Sequence, residues 1–216
     1  LSALADVGAF PAAPDILDFG GGYGLMTQML LDAGYSAWTS DPHVPKPYFA
    51  PDHVVADLSA APPGTYDLVL ALEVFEHLVQ PVEVGESLAR VLRAGGSLLI
   101  STEIYKPDQH GPEWGYLATE GGQHVNFWSQ RALEIFAAHL GFTSIGLYPG
   151  DTGFLIVMSH LDEGTLAARL QAALERLDDP AFLASCLRPW DFRTSGVIPA
   201  GARPLARSVQ LGDVLR

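Results

Sequence analysis

The chain has 216 residues, 48% of them apolar and 17% charged, and a formal net charge of −13 at pH 7. Such a composition is globular and not disordered, and the length suits one well-buried domain with a small appendage. No apolar run approaches the roughly 18–20 residues that span a bilayer. The charge is uneven: residues 1–161 hold five basic and 18 acidic side chains, whereas residues 162–216 hold seven of each. Binders of nucleic acid gain affinity by neutralising phosphates with Lys and Arg. The expected partner is therefore a small molecule, with neither a nucleic acid nor a membrane favoured; the plainer reading of the acidity is solubility. A lone Cys186 has no internal disulfide partner, which fits a reducing, cytoplasmic setting. The sequence opens at Leu1 with no Met and no charged-then-apolar leader, so a start that is trimmed, or that lacks a disordered segment, is expected.

Short apolar runs alternate with amphipathic stretches, the rhythm of a parallel sheet covered by helices. Asp15–Phe19 is the first expected strand. After a glycine-rich turn, Leu25, Met26, Met29, Leu30 and Ala33 recur at helical spacing, and Gly34 ends that helix. Ser36–Ser40 reads as a second strand with Asp41 at its tip, and His53–Ala56 as a short third ending at Asp57. Tyr66–Leu72 is nearly all apolar, as a central strand buried on both faces should be. A helix is expected over Val82–Arg93, with Glu83 and Glu86 early and Arg90 and Arg93 late, as the helix dipole favours. Gly95-Gly96 ends it before a fifth strand, Ser97–Ser101. Ser129–Leu140 is a further helix. Thr143–Tyr148 and Phe154–Ser159 are the last strands, and Glu163–Asp178 is an amphipathic helix stopped by Pro180. Pro42–Asp52 contains four prolines and Leu58–Thr65 contains Pro62-Pro63-Gly64. Neither segment suits a helix, so one edge of the sheet is expected to lack its usual cover. The expected domains are 1–161, carrying the sheet, and 162–216, a helix and irregular tail packed on it.

The sharpest motif is Asp18-Phe-Gly20-Gly-Gly22-Tyr-Gly24, placed between a strand and a helix. Glycines there let the backbone turn tightly and approach a ligand closely. The third glycine comes one residue earlier than in the dinucleotide fingerprint, and an acid precedes the first by two. A carboxylate there would repel a pyrophosphate and suit a ligand with a positively charged amine. Asp41 is placed to accept two ribose hydroxyls, and Asp57 to meet an adenine amino group.

These residues resemble those of the class I S-adenosylmethionine-dependent methyltransferases over about Asp15 to Ser159. The resemblance rests on D-x-G-x-G-x-G, the acid after the second strand, the run Tyr66–Glu73 and the Gly95-Gly96 turn. It implies an α/β, Rossmann-like fold with a mostly parallel seven-stranded sheet and an antiparallel last strand. It also implies S-adenosylmethionine over the carboxyl ends of the first strands, with Asp18, Gly20, Gly22, Gly24, Asp41, Asp57 and Glu73 as cofactor-binding residues. The missing helices depart from the family on the adenine side.

A second constellation is Glu73-Val-Phe-Glu76-His77, with His124 much later. Glu73 falls at a strand's carboxyl end, and Glu76 and His77 about one turn on. Two carboxylates and two imidazoles can hold one divalent ion, and mixed oxygen and nitrogen donors favour Mn, Fe, Co or Zn over Mg. The set is similar to that of the small-RNA 3′-end 2′-O-methyltransferases, where it binds a metal, and the ubiquinone-pathway O-methyltransferases carry a similar E-x-x-E-H segment. Without a metal, Glu73 and His77 shape the pocket while Glu76 caps or faces solvent, and His124 and His77 are candidate bases for a hydroxyl acceptor. Glu103–Gln123 is a long connection with Tyr105, His110, Trp114 and Tyr116, either a lid lining an apolar pocket or an anchored surface loop. The tail around Trp190-Asp-Phe192 has no assigned role. The expected function is methylation of a small molecule, on oxygen first. The alternatives are a metal-dependent RNA 2′-O-methyltransferase and a non-catalytic partner subunit that keeps the fold.

Overall fold

The computed structural model describes residues 1–148 and 155–182. Six strands form one sheet: β1 (Asp15–Phe19), β2 (Ser36–Ser40), β3 (Tyr66–Leu72), β4 (Leu92–Ser101), β5 (Ser144–Tyr148) and β6 (Leu155–Ser159). Their order across the sheet is β2-β1-β3-β4-β6-β5. The pairs β2-β1, β1-β3 and β3-β4 are parallel, and β6 is antiparallel to both neighbours. The last strand is thus the reversed one, as expected. The seventh strand, expected at His53–Ala56, is reduced to a single parallel bridge between Thr39 and Val54. The prolines and turns on either side leave this segment too short to continue the ladder.

Strands that are buried on both faces need apolar residues at consecutive positions, and β1, β3 and β4 have them. On one face, Leu17, Val69, Leu98 and Ile100 pack against Leu88 and Val91 of α3 (Pro81–Val91) and Leu133 and Phe136 of α4 (Gln130–His139). On the other, Ile16, Leu68, Leu70, Leu99 and Val157 pack against three helices. These are α1 (Ser2–Asp6), α2 (Leu25–Asp32) and α5 (Glu163–Leu177), contributing Leu4, Leu30, Leu166 and Leu170. Helix α1 was not foreseen. Pro81 starts α3 where a missing N–H costs nothing, and Ser129 and Asp162 cap α4 and α5 by accepting from Ala132 N and Thr165 N.

Arg93 ties the amino ends of two central strands together, with one guanidinium nitrogen 2.7 Å from Asp15 and another 2.5 Å from Asp67. The proline-rich stretch 42–52 has no helix, and residues 58–65 hold one 3-10 turn, Leu58–Ala60. This edge therefore lacks helices, as the prolines predict, and Val55, Leu58 and Ala61 pack on the core in their place. No helix among the described residues is long and apolar enough to cross a membrane. Cys186, Phe154 and the tail around Trp190 lie outside the described residues.

Candidate active site

Three strands end on the same rim. The chain leaves β1 at Gly20, β2 at Asp41 and β3 at Glu73, and these residues line a cavity of about 340 Å3 together with Phe19, Pro42, His43, Val74, His77, Leu78 and Gln123. That position, outside the carboxyl ends of parallel strands, is where open α/β sheets bind ligands. The lining contains no Lys or Arg.

The turn after β1 is built of glycines for two separate reasons. Gly20, Gly22 and Gly24 have φ of 72°, 54° and 81°, in the left-handed region that side chains rarely adopt. Gly21 has no such φ but no room either: a Cβ there would lie 2.4 Å from Asp18 Oδ2 and 2.5 Å from Thr39 Oγ1. Asp18 is thus pressed under the loop. It is 3% exposed and accepts from Thr27 Oγ1 at 3.0 Å. Burial pushes its carboxyl up to about 6, against the Thr27 hydrogen bonds, which lower it. Asp18 is absent from the cavity lining, so it acts from beneath the loop and makes no direct wall. Asp41 is at the rim: Oδ2 accepts from Gly22 N at 2.9 Å, and Oδ1 from His43 N at 2.8 Å and Val44 N at 3.2 Å.

Asp57 is elsewhere. It is exposed, caps the turn Leu58–Ala60 by accepting from Ser59 N at 2.8 Å and Ser59 Oγ at 2.7 Å, and does not line the cavity. The same bonds to Ser59 hold its carboxyl below the ordinary range. The shortened third strand thus leaves Asp57 in a local turn, away from the cavity where an adenine contact was expected of it.

Glu73 follows β3 with φ of 53°, a strained conformation for a non-glycine residue, which costs about 1–3 kcal/mol and clusters at functional sites. Ser101 at the end of β4 holds it at both ends: Ser101 Oγ accepts from Glu73 N at 2.8 Å and donates to Glu73 Oε1 at 2.7 Å. The chain then makes a 3-10 turn, Phe75–His77. The carbonyl of Glu76 accepts from Val125 N at 2.7 Å and Asn126 N at 3.1 Å, and Asn126 Nδ2 donates to the carbonyl of Leu78. These bonds bring His124 beside His77, with ring centroids 4.8 Å apart.

Glu76, His77 and His124 offer ligand atoms that all lie within 4.8 Å of one another. Each imidazole is oriented by a backbone carbonyl, His77 Nδ1 by Gln123 O at 3.0 Å and His124 Nδ1 by Tyr116 O at 2.6 Å. A carbonyl only accepts, so both Nδ1 atoms carry the hydrogen and both Nε2 lone pairs are left for the site. The Glu76 side chain is fully buried, and neither carboxylate oxygen has a hydrogen-bond partner. Burial first, then the charge of Glu73, raises its carboxyl above the ordinary value. His77 Nε2 is 3.9 Å from Glu76 Oε1, too far for a hydrogen bond. Glu73 stands outside this trio, its carboxylate engaged by Ser101 and facing the Tyr116 hydroxyl at 3.5 Å. The four expected donors are thus a set of three, with the fourth turned to the cavity.

The connection after β4 is ordered around Trp114. Its ring stacks on His110 at 4.3 Å and packs against Tyr105, Tyr116 and Phe127 at 5.7, 5.3 and 5.8 Å, and its Nε1 donates to Glu103 at 2.8 Å. The sequence marks Tyr116 only as one aromatic among several, because its contacts within the site depend on a loop conformation that spacing does not encode.

Sheet order, glycine turn and rim acids together define a Rossmann-like nucleoside-binding domain. A family model described as "Methyltransferase domain" matches residues 2–146. An uncharacterized methyltransferase of Mycolicibacterium gilvum is 34% identical over 117 residues, 50% of this chain and 46% of that protein. A ubiquinone biosynthesis O-methyltransferase of Xanthomonas campestris is 40% identical over 48 residues, 22% of this chain and 20% of that protein. Among solved structures, an O-methyltransferase family protein from Burkholderia thailandensis superposes with a TM-score of 0.54 at 16% identity, covering 75% of this chain and 55% of that one. Human N-acetylserotonin methyltransferase, solved with S-adenosylmethionine, gives 0.53 at 15% identity, covering 74% and 51%. The chain belongs to the methyltransferase-domain family, of the class I type whose cofactor is S-adenosylmethionine. It spans about half the length of the mycobacterial relatives it matches.

Proposed function

We propose that this protein binds S-adenosylmethionine at the rim of β1, β2 and β3 and transfers its methyl group to a small molecule, on oxygen. The observation that carries the reading is the glycine loop at 20–24, whose first left-handed residue, Gly20, lines with Asp41 a cavity of a size suited to a small ligand. Asp41 would take the ribose hydroxyls, exchanging its bond to Gly22 N or sharing it. Gly20, Gly22 and Gly24 let the backbone approach the methionine portion, and the Asp18 charge beneath them favours its amine. Glu73 would hold the cofactor's sulfonium side of the cavity. Transfer to oxygen is supported by the local identity to a ubiquinone biosynthesis O-methyltransferase. Methyl transfer is an in-line displacement at an activated carbon, so much of the barrier falls to holding the acceptor behind it. A hydroxyl acceptor also loses a proton, and His124 Nε2 or His77 Nε2 can receive it, since Nδ1 of each is already hydrogen-bonded as a donor.

The trio Glu76, His77 and His124 supports a second element of the site. Three lone-pair-bearing groups face each other, and one is a buried carboxylate with neither oxygen in a formed hydrogen bond, though the Tyr116 hydroxyl and the Glu73 carboxylate both act on it. Such a group is costly unless a cation or proton joins it. His2Glu with both imidazoles oriented through Nδ1 suits Zn, and also Mn, Fe or Co. A bound metal would lower the pKa of a coordinated hydroxyl. Incubation with radiolabelled S-adenosylmethionine and a panel of phenols and alcohols, with and without Zn or Mn, tests both elements. Transfer to a phenol supports the reading. Binding of the cofactor with label recovered only on amines would replace oxygen as the acceptor atom.

A further inference from the structure

The long connection between β4 and α4 reaches the site twice through one residue. Tyr116 lies in a 3-10 turn, Gly115–Leu117, which ends at Ala118 with φ of 48°. Its carbonyl accepts from His124 Nδ1 at 2.6 Å, and its ring packs on that imidazole with centroids 4.4 Å apart. Its hydroxyl is 3.0 Å from Thr102 Oγ1, which is itself buried, and 3.5 Å from Glu73 Oε2. The direction of this chain follows from the acceptor at its end. An ionised Glu73 only accepts, so Tyr116 donates to it and Thr102 donates to Tyr116. Burial raises the Tyr116 phenol above its ordinary value, so it stays a donor. Glu73 and Ala118, two of the three non-glycine residues with left-handed φ among the described residues, bracket this network. A chain keeps such strain where surrounding contacts over-determine it.

We propose that Tyr116 is a positioning residue that sets both sides of the site at once. Its carbonyl fixes the His124 tautomer that presents Nε2 beside Glu76 and His77, and its hydroxyl, with Ser101 opposite, fixes the Glu73 carboxylate toward the cavity. The Trp114 stack holds the turn that carries it. The seating of residues 103–123 is thereby coupled to the placement of a candidate base and of a cofactor-side acid. The inference rests on the reading that His124 and Glu73 serve the reaction, but its geometry can be tested without an acceptor.

The experiment uses the full chain labelled with 15N-histidine and 13C-glutamate, at pH 8. Wild type, Tyr116→Phe and Tyr116→Ala are compared by long-range imidazole spectra, carboxyl-carbon spectra and calorimetry with S-adenosylhomocysteine. Wild-type His124 is expected as the Nδ1–H tautomer. Tyr116→Phe keeps that tautomer and moves the Glu73 carboxyl signal. Tyr116→Ala, which removes the ring that seats the turn on Trp114 and His124, shifts His124 toward a tautomer mixture and leaves His77 anchored on Gln123. If wild-type His124 is a tautomer mixture, or if Tyr116→Phe leaves the Glu73 signal in place, the proposal is overturned. Should Tyr116→Ala fail to fold, the wild-type and Tyr116→Phe spectra decide alone. Failure of wild type to bind S-adenosylhomocysteine would remove the cofactor reading and leave the tautomer result standing.

Discussion

The two halves of the site are built on opposite principles. Around the glycine loop the carboxylates already have partners: Thr27 for Asp18, and Gly22, His43 and Val44 for Asp41. Around Glu76 the hydrogen bonds run through the backbone and orient two imidazoles, yet the carboxylate they surround has none. The loop half is a preformed cradle, in which most binding order is established before a ligand arrives. The histidine half gathers two imidazoles and a buried carboxylate with no cationic side chain among them. A fold can thus fix one substrate rigidly while leaving the chemistry of the other to a cation, a proton or the acceptor.

If the loop half is truly preformed, crowding it should cost most. Gly21→Ala forces a Cβ against Asp18 and Thr39, both buried, and is expected to destabilise by about 2–3 kcal/mol, measured by urea unfolding. Gly22→Ala meets open space and suffers only its left-handed φ, about 1 kcal/mol. Equal losses at the two positions would break the distinction between a packed underside and an open upper face.

Asp18 sharpens the comparison through pH. Its folded carboxyl sits at about 6, above the ordinary 3.8. A raised value means that the folded state holds the proton more tightly, so this stabilisation is complete below pH 3.8 and is lost as pH rises to 6. The loss is about 1–3 kcal/mol. Asp18→Asn without cofactor should flatten the unfolding midpoint between pH 4 and 6 relative to wild type. An unchanged pH profile would mean that the charge under the loop is not desolvated.

Affinity separates the rim acid Asp41 from Asp57, which lies off the cavity. Asp41→Ala removes a cavity carboxylate and the Gly22 bond, and should weaken S-adenosylhomocysteine about tenfold, or roughly 1.4 kcal/mol. Asp57→Ala removes only a local cap, and should change that affinity less than about twofold. A large loss at Asp57 would restore the adenine contact expected from sequence and contradict its separation from the cavity.

For the histidine half, Zn at a few micromolar should raise the melting temperature of wild type and not that of His124→Ala. An equal rise in both would place the ion elsewhere.

Much of this was legible in the sequence, and the limits have physical causes. The apolar run Tyr66–Leu72, the glycine spacing and the prolines at 42–51 each encode local geometry, so the central strand, the loop and the edge without helices follow directly. Asp41 was legible too, because a strand tip is fixed by strand length. Asp57 was not: its role depends on whether His53–Ala56 pairs as a ladder or as one bridge, which neighbouring turns decide. Nor could spacing tell that Glu73 would be held by Ser101 at the cavity and left out of the trio of Glu76, His77 and His124. That depends on a left-handed backbone at residue 73 and on Ser101, a partner 28 positions away. The convergence of His77 and His124 was suggested by residue type alone; the backbone bonds from Val125 and Asn126 to Glu76 that create it are tertiary.

The most direct test is calorimetric titration of the wild-type chain with S-adenosylhomocysteine, beside a nicotinamide nucleotide as the competing nucleoside. The account predicts one saturable site per chain for the former and no heat for the latter. Tight binding of the nicotinamide nucleotide, with no heat from S-adenosylhomocysteine, would contradict it.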